Sequence, residues 1–212
     1  MIHFLLRVRQ AIFSPIQKTQ LYMQPRMIKG EHALLDLVDV LKEKHLTHYM
    51  IVTTPGFIKR GTLQSFFEAL TQNDIQYSIF RDVKPDPEIS DVEKLKEMFI
   101  KDGCQALITI GGGSAIDCSK AALACVQMKN LDVKTVLHTG RVSKQLPLLI
   151  AVPTTAGTGS EVTAGAVITD PIKKRKYALS HLFLIPKYAV LDSSLLTSLP
   201  AKMTAYSGMD AL

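Results

Sequence analysis

The chain has no tryptophan and only three cysteines. Cys104, Cys118 and Cys125 are odd in number and form no C-x-x-C pair, so they read as buried, reduced thiols of a cytoplasmic protein. Cys118 and Cys125 stand seven residues apart, a packing interval on one helix. No apolar run reaches the length of a membrane span. Phe4-Leu5-Leu6 is broken by Arg7 and Arg9 and so lacks the apolar core of a signal peptide. The excess of charge of one sign is also small. The formal net charge is +6, and the sharpest basic cluster is Lys173-Lys174-Arg175-Lys176. No aromatic residue interleaves with that cluster, so it reads as a solvated hairpin tip and not as a nucleic-acid surface. These absences leave a soluble globular protein with neither nucleic acid nor membrane as its partner.

What is present fits that class. The 212 residues are 47% hydrophobic and 21% charged, and a chain of this size buries about 70% of its unfolded surface without disulfide staples. Residues 1–20 form a basic, weakly patterned lead-in. Leu34, Leu37, Val38 and Leu41 mark a helical stripe. Tyr49–Thr54 reads as a strand stopped by Pro55-Gly56. A helix follows with Leu63, Phe66, Phe67 and Leu70 on one side, then a strand at Tyr77–Phe80. Pro85-Asp86-Pro87 makes a rigid loop. Ser90-Asp91-Val92-Glu93 has the pattern of a capping box, opening a helix that buries Val92, Leu95 and Phe99. Strands and helices alternate, which implies an α/β fold with a doubly wound, Rossmann-like parallel sheet. Residues 127–145 are polar and poorly periodic and read as a loop carrying His138 and Arg141. A buried strand returns at Leu146–Val152.

Two stretches carry the chemistry. In the first, Leu107–Ile110 is a β-branched run that ends in Gly111-Gly112-Gly113-Ser114, and a small-residue helix begins at once. Glycines can take φ > 0 and let a ligand approach the backbone. The first helical N–H groups are unpaired and carry about half a positive charge. A pyrophosphate satisfies both the donors and the dipole. Ser114 is placed to cap the helix or to donate its hydroxyl directly, and Asp117 is expected in the first turn. In the second stretch, Pro153-Thr154-Thr155-Ala156-Gly157-Thr158-Gly159-Ser160-Glu161-Val162-Thr163 follows the returning strand. Its hydroxyls and backbone N–H groups are what a phosphate, ribose or carboxamide needs. Both stretches fall at the carboxyl edge of the sheet, where such folds bind ligands.

Gly111-Gly112-Gly113-Ser114 with Asp117 and Lys120, followed by the eleven-residue threonine loop, resembles the iron-containing (group III) alcohol dehydrogenases. Val167–Asp170, Lys176–Ala178, Ala189–Asp192 and Gly208-Met209-Asp210-Ala211-Leu212 extend the likeness from about residue 30 to the last residue. The resemblance implies a dinucleotide-binding domain over residues 21–198, and at 199–212 the start of a helical metal-binding domain whose remainder lies outside this sequence. It implies that Gly112, Gly113 and Ser114 hold the pyrophosphate of NAD or NADP. Thr154, Thr155 and Thr158 line the nucleotide, and Lys176 reaches toward ribose or phosphate. Asp210 matches a first ligand of Fe²⁺ or Zn²⁺, and the family continues with a histidine after this point. Asp86 stands where many members have Asn between two prolines. Thr54 stands where members often carry an Asp that binds the ribose 2′-OH. The implied reaction is metal-assisted hydride transfer between a small alcohol or aldehyde and NAD(P), in a protein that pairs through N-terminal strands as a homodimer. Of this chain's histidines, His45 and His48 have the spacing of a ligand pair, but they precede a strand at the surface and are not read as ligands. The 212-residue chain by itself is expected to hold no catalytic metal and to be inactive. The reading from another class is a non-catalytic nucleotide-binding protein. Sister enzymes such as glycerol dehydrogenase and maleylacetate reductase fit the threonine loop less well.

Overall fold

The computed structural model describes residues 24–212, apart from residues 129, 144 and 198. The basic lead-in at 1–20 lies outside the described residues. Six strands form one parallel sheet: β1 (Arg26–Gly30), β2 (His48–Val52), β3 (Gln76–Phe80), β4 (Ala106–Gly111), β5 (Leu148–Pro153) and β8 (Tyr188–Asp192). Their order across the sheet is β1-β8-β5-β4-β2-β3. The remaining two, β6 (Gly165–Asp170) and β7 (Arg175–Ser180), pair as an antiparallel hairpin. Lys173 and Lys174 lie at its tip, as the charge cluster predicted.

The central strands β4 and β5 are buried almost throughout. Helices cover both faces of the sheet, so both sets of alternating side chains meet protein, and the strands read as continuous apolar runs. Tyr49, Ile51 and Ile108 point to one face, against α1 (Ala33–Glu43) and α3 (Gln64–Gln72). Met50, Val52 and Leu107 point to the other. There they pack on α4 (Ile89–Lys101), α5 (Gly113–Gln127) and α6 (Val133–Thr139). Cys118 and Cys125 are buried on α5, and Cys104 is buried before β4; all three are free thiols.

The structure corrects several local expectations. The capping box of α4 sits two residues earlier than its sequence pattern. Glu88 is the N-cap, and Asp91 accepts its N–H at 2.9 Å. The loop expected over 127–145 contains α6, whose N-cap Asp132 accepts the Thr135 N–H at 2.6 Å. Seven residues give too little apolar periodicity to register in sequence, and the helix stands because Val133, Val136 and Leu137 reach the core. Pro55-Gly56 does end β2, and Pro55 then opens the short helix α2 (Pro55–Lys59) from the first-turn position that proline favours. β1 escaped the sequence pattern because an edge strand needs few apolar residues, and only Ile28 packs against the core. No described helix is long and apolar enough to cross a membrane.

Candidate dinucleotide site

The carboxyl ends of β2, β4 and β5 open onto one cleft of about 610 Å³. Its floor is the turn from β4 into α5. The N-cap of α5 is Gly112, so Gly113, Ser114 and Ala115 occupy the first turn and line the cleft; the Ala115 N–H donates to the Gly112 carbonyl at 3.0 Å, which leaves those of Gly113 and Ser114 to meet a ligand. Ser114 is therefore inside the helix and not its cap. Asp117 lies beyond the first turn, and its carboxylate accepts the Val167 N–H at 2.9 Å, tying α5 to the hairpin. Burial holds that carboxyl above its usual range.

Close approach, and not a left-handed backbone, requires the glycines of this turn. None of Gly111, Gly112 and Gly113 has a positive φ. A Cβ on Gly113 would lie 2.8 Å from Thr158 Cγ2, and one on Gly112 would lie 3.3 Å from Thr155 Oγ1. The glycine turn and the threonine loop are thus pressed together, and a hydrogen bond from Thr154 N to Gly111 O at 3.0 Å fixes their edge. The result is a cradle of backbone donors and hydroxyls at a positive helix end. A pyrophosphate fits it, because the helix-end N–H groups and the facing hydroxyls donate to its oxygens and the dipole favours their charge.

Thr54, Gly112, Gly113, Ser114, Thr154, Thr155, Thr158 and Asp210 all line this one cleft. Asp86 and Lys176 do not. They pair with each other at 3.0 Å on the flank, both well exposed. Lys84 and Pro85, after β3, also line the cleft, and sequence reasoning missed them as site residues. Their signal was their place directly after a strand, but it could be used only once β3 was known to lie beside β2. After β8 the chain passes through the short helix α7 (Ser193–Leu196) into α8 (Ala201–Asp210). That last helix is the other wall of the cleft and contributes Met203, Tyr206 and Ser207. It comes so close that a Cβ on Gly157 would strike the Ser207 carbonyl and lie 3.3 Å from Asp210 Cβ.

Asp210 is the only carboxylate among the described residues lining the cleft. A divalent site takes three or four converging ligands. The described residues contain no group of three His, Cys, Asp or Glu side chains that could hold an ion. These residues therefore supply at most one ligand and do not by themselves fit a metal. His48 is the first residue of β2 and shares a hydrogen bond with Ser78 Oγ at 3.1 Å. Another hollow, of about 700 Å³, lies at the opposite sheet edge between the C-terminal ends of α4 and α5. Helix C-termini carry partial negative charge, so an anionic cofactor is disfavoured there.

A family model for iron-containing alcohol dehydrogenases matches residues 24–193. This chain belongs to the iron-containing alcohol dehydrogenase family. Among relatives, it is 32% identical over 200 residues to the choline dehydrogenase of Bacillus subtilis, covering 93% of this chain and 50% of that protein. It is 36% identical over 185 residues to alcohol dehydrogenase 4 of Schizosaccharomyces pombe, covering 86% and 43%. Sulfoacetaldehyde reductase from Bifidobacterium kashiwanohense, solved in complex with NAD⁺, superposes with a TM-score of 0.82 at 32% identity. That match covers 88% of this chain and 50% of the reductase. The chain spans about half the length of these relatives. The parallel sheet with its glycine turn is the dehydrogenase family's Rossmann-like half, as the sequence predicted.

Proposed function

We propose that this chain is the dinucleotide-binding half of an NAD(P)-dependent oxidoreductase acting on a small alcohol or aldehyde. The observation that carries the reading is the close facing of Gly112 and Gly113, at the α5 N-terminus, with Thr155 and Thr158. First-turn N–H groups hold the pyrophosphate, and Thr154, Thr155 and Thr158 present hydroxyls along the nucleotide. α8 closes over the same cleft and excludes water from one side. The nicotinamide, when bound, supplies the hydride chemistry, and the chain supplies binding and orientation. Asp210 is placed to offer one carboxylate to an Fe²⁺ or Zn²⁺ ion whose other ligands come from elsewhere.

On this reading the 212-residue chain binds dinucleotide without turning over alcohol. The buried free thiols fit a reducing compartment such as the cytoplasm. β1, with β8 on one side and no further described strand of the sheet beyond it, is the edge through which two copies would pair. Fluorescence titration with NADH and NADPH tests the binding. Elemental analysis and an alcohol-oxidation assay on the same sample test the rest. Saturable binding without stoichiometric metal or turnover is expected. No binding of either dinucleotide would sink the assignment, and turnover with bound metal would show that other residues complete the site.

A further inference from the structure

We propose that Arg60 receives the 2′-phosphate of NADP(H), so that the cleft takes NADPH in preference to NADH. The proposal rests on the dinucleotide reading above and names which dinucleotide is bound. A dinucleotide with its pyrophosphate on the α5 N-terminus extends over the carboxyl ends of the neighbouring strands. In sheets of this kind, an acidic residue at such a strand end reads the adenosine ribose of NAD, and an arginine nearby accommodates the 2′-phosphate of NADP. β2 is the neighbour of β4, and the residue that follows β2 into the cleft is the neutral Thr54.

Charge is distributed unevenly in the cleft. Two cations, Arg60 and Lys84, stand on the β2–β3 side. The single carboxylate, Asp210, stands against Gly157, on the side of the loop after β5. Lys84 is already neutralised by Glu88, 2.9 Å away. Arg60 pairs with no carboxylate among the described residues. Its guanidinium lies over the ring of Phe57, 5.0 Å from the centroid. Nη1 lies 3.0 Å from where a Cβ on Gly56 would be, so the absence of a side chain there makes room for the fork. Stacking on the aromatic face leaves the planar donors free to engage phosphate oxygens two at a time. The ordinary alternative is a surface arginine that merely complements the C-terminal end of α2.

The test measures dissociation constants for NADPH and NADH on the full chain, on Arg60→Leu and on Arg60→Lys. Competition by 2′-phospho-ADP-ribose and ADP-ribose repeats the comparison without the nicotinamide. We expect the unaltered chain to bind NADPH at least tenfold more tightly than NADH. Arg60→Leu should lose that margin while holding NADH within about twofold, and Arg60→Lys should recover part of it. Equal or tighter binding of NADH by the unaltered chain overturns the proposal and leaves the dinucleotide reading standing. So does an equal loss of both dinucleotides in Arg60→Leu, which marks a structural role. Failure of both dinucleotides to bind the unaltered chain overturns both readings.

Discussion

Lys120 and Thr163 are joined by two hydrogen bonds from one buried ammonium. Nζ donates to the Thr163 carbonyl at 2.7 Å and to its Oγ1 at 3.2 Å. A further bond reaches the Gly165 carbonyl at 2.8 Å. Lys120 lies two turns into α5 from the phosphate cradle, and Thr163 ends the threonine loop. One side chain therefore fixes the spacing of the two walls that face the pyrophosphate. Asp117, one turn earlier, ties α5 to the hairpin through the Val167 N–H.

Lys120→Met should therefore loosen the cleft and destabilise the fold together. It leaves the half-buried Thr163 and Gly165 carbonyls without their donor, a loss of about 2–4 kcal/mol. Burial pushes the Lys120 ammonium down to about 8, from an ordinary 10.5. Below about pH 8 the group is charged in both states and the native fold carries the burial penalty. Between pH 8 and 10.5 the unfolded chain holds more protons, so stability rises with pH. Urea melts of the unaltered chain minus those of Lys120→Met should show a rising difference over that window, by up to about 3 kcal/mol. A flat difference would place the ammonium in a better hydrated setting than the structure shows.

Gly113→Val should abolish dinucleotide binding in a folded protein. The added atoms meet Thr158, whose Cγ2 and Oγ1 lie 2.8 Å and 2.9 Å from the position of a Cβ. The threonine loop must move or the phosphate must be displaced. NADH affinity should fall by more than about a hundredfold, with an unchanged far-ultraviolet circular dichroism spectrum. Retained affinity would mean that the pyrophosphate lies elsewhere.

Thr54→Asp should shift preference toward NADH. A carboxylate at the end of β2 accepts from a ribose hydroxyl and repels a 2′-phosphate. Exchange of a charged hydrogen bond for repulsion is worth about 1–3 kcal/mol. The ratio of the NADPH and NADH dissociation constants should change by about ten- to a hundredfold. An unchanged ratio would remove Thr54 from the ribose site.

The three thiols should be inert in the native state. Burial pushes Cys104 up to about 11 and Cys125 up to about 12, and raises Cys118 as well. Thiolate is the reactive form, so a disulfide reagent at about pH 8 should modify them only as the chain unfolds. Above about pH 9 the unfolded chain ionises these thiols while the native one does not, so they lower stability as pH rises. Rapid native-state labelling would contradict this burial.

Much of the fold and part of the site were legible in the chain itself. β4 and β5 are buried on both faces, so their sequences are unbroken apolar runs that period and length reveal. The glycine turn and the threonine loop are each contiguous, and each follows a strand, so local pattern places both at the carboxyl edge. α6 and β1 were not legible. Their apolar content is small, and each is held by distant partners: β1 by β8, with Met27 beside Ala189, and α6 by the core beneath it. The capping box of α4 slid by two residues because Asp91 found the Glu88 N–H, a choice made by backbone geometry and not by residue type.

What the sequence determined was the parallel alternation, the two loops and the family to which they belong, because those signals repeat over neighbouring residues. What only the tertiary structure decided was which distant residues share the cleft. Strand order put β2 beside β4 and β3 beyond β2, and so brought Thr54, Arg60 and Lys84 to one side. Hairpin placement turned Lys176 toward Asp86 on the flank and away from the cleft. Packing also set the reason for the glycines: at Gly112 and Gly113 the constraint is a facing threonine, brought there from a loop that follows a different strand.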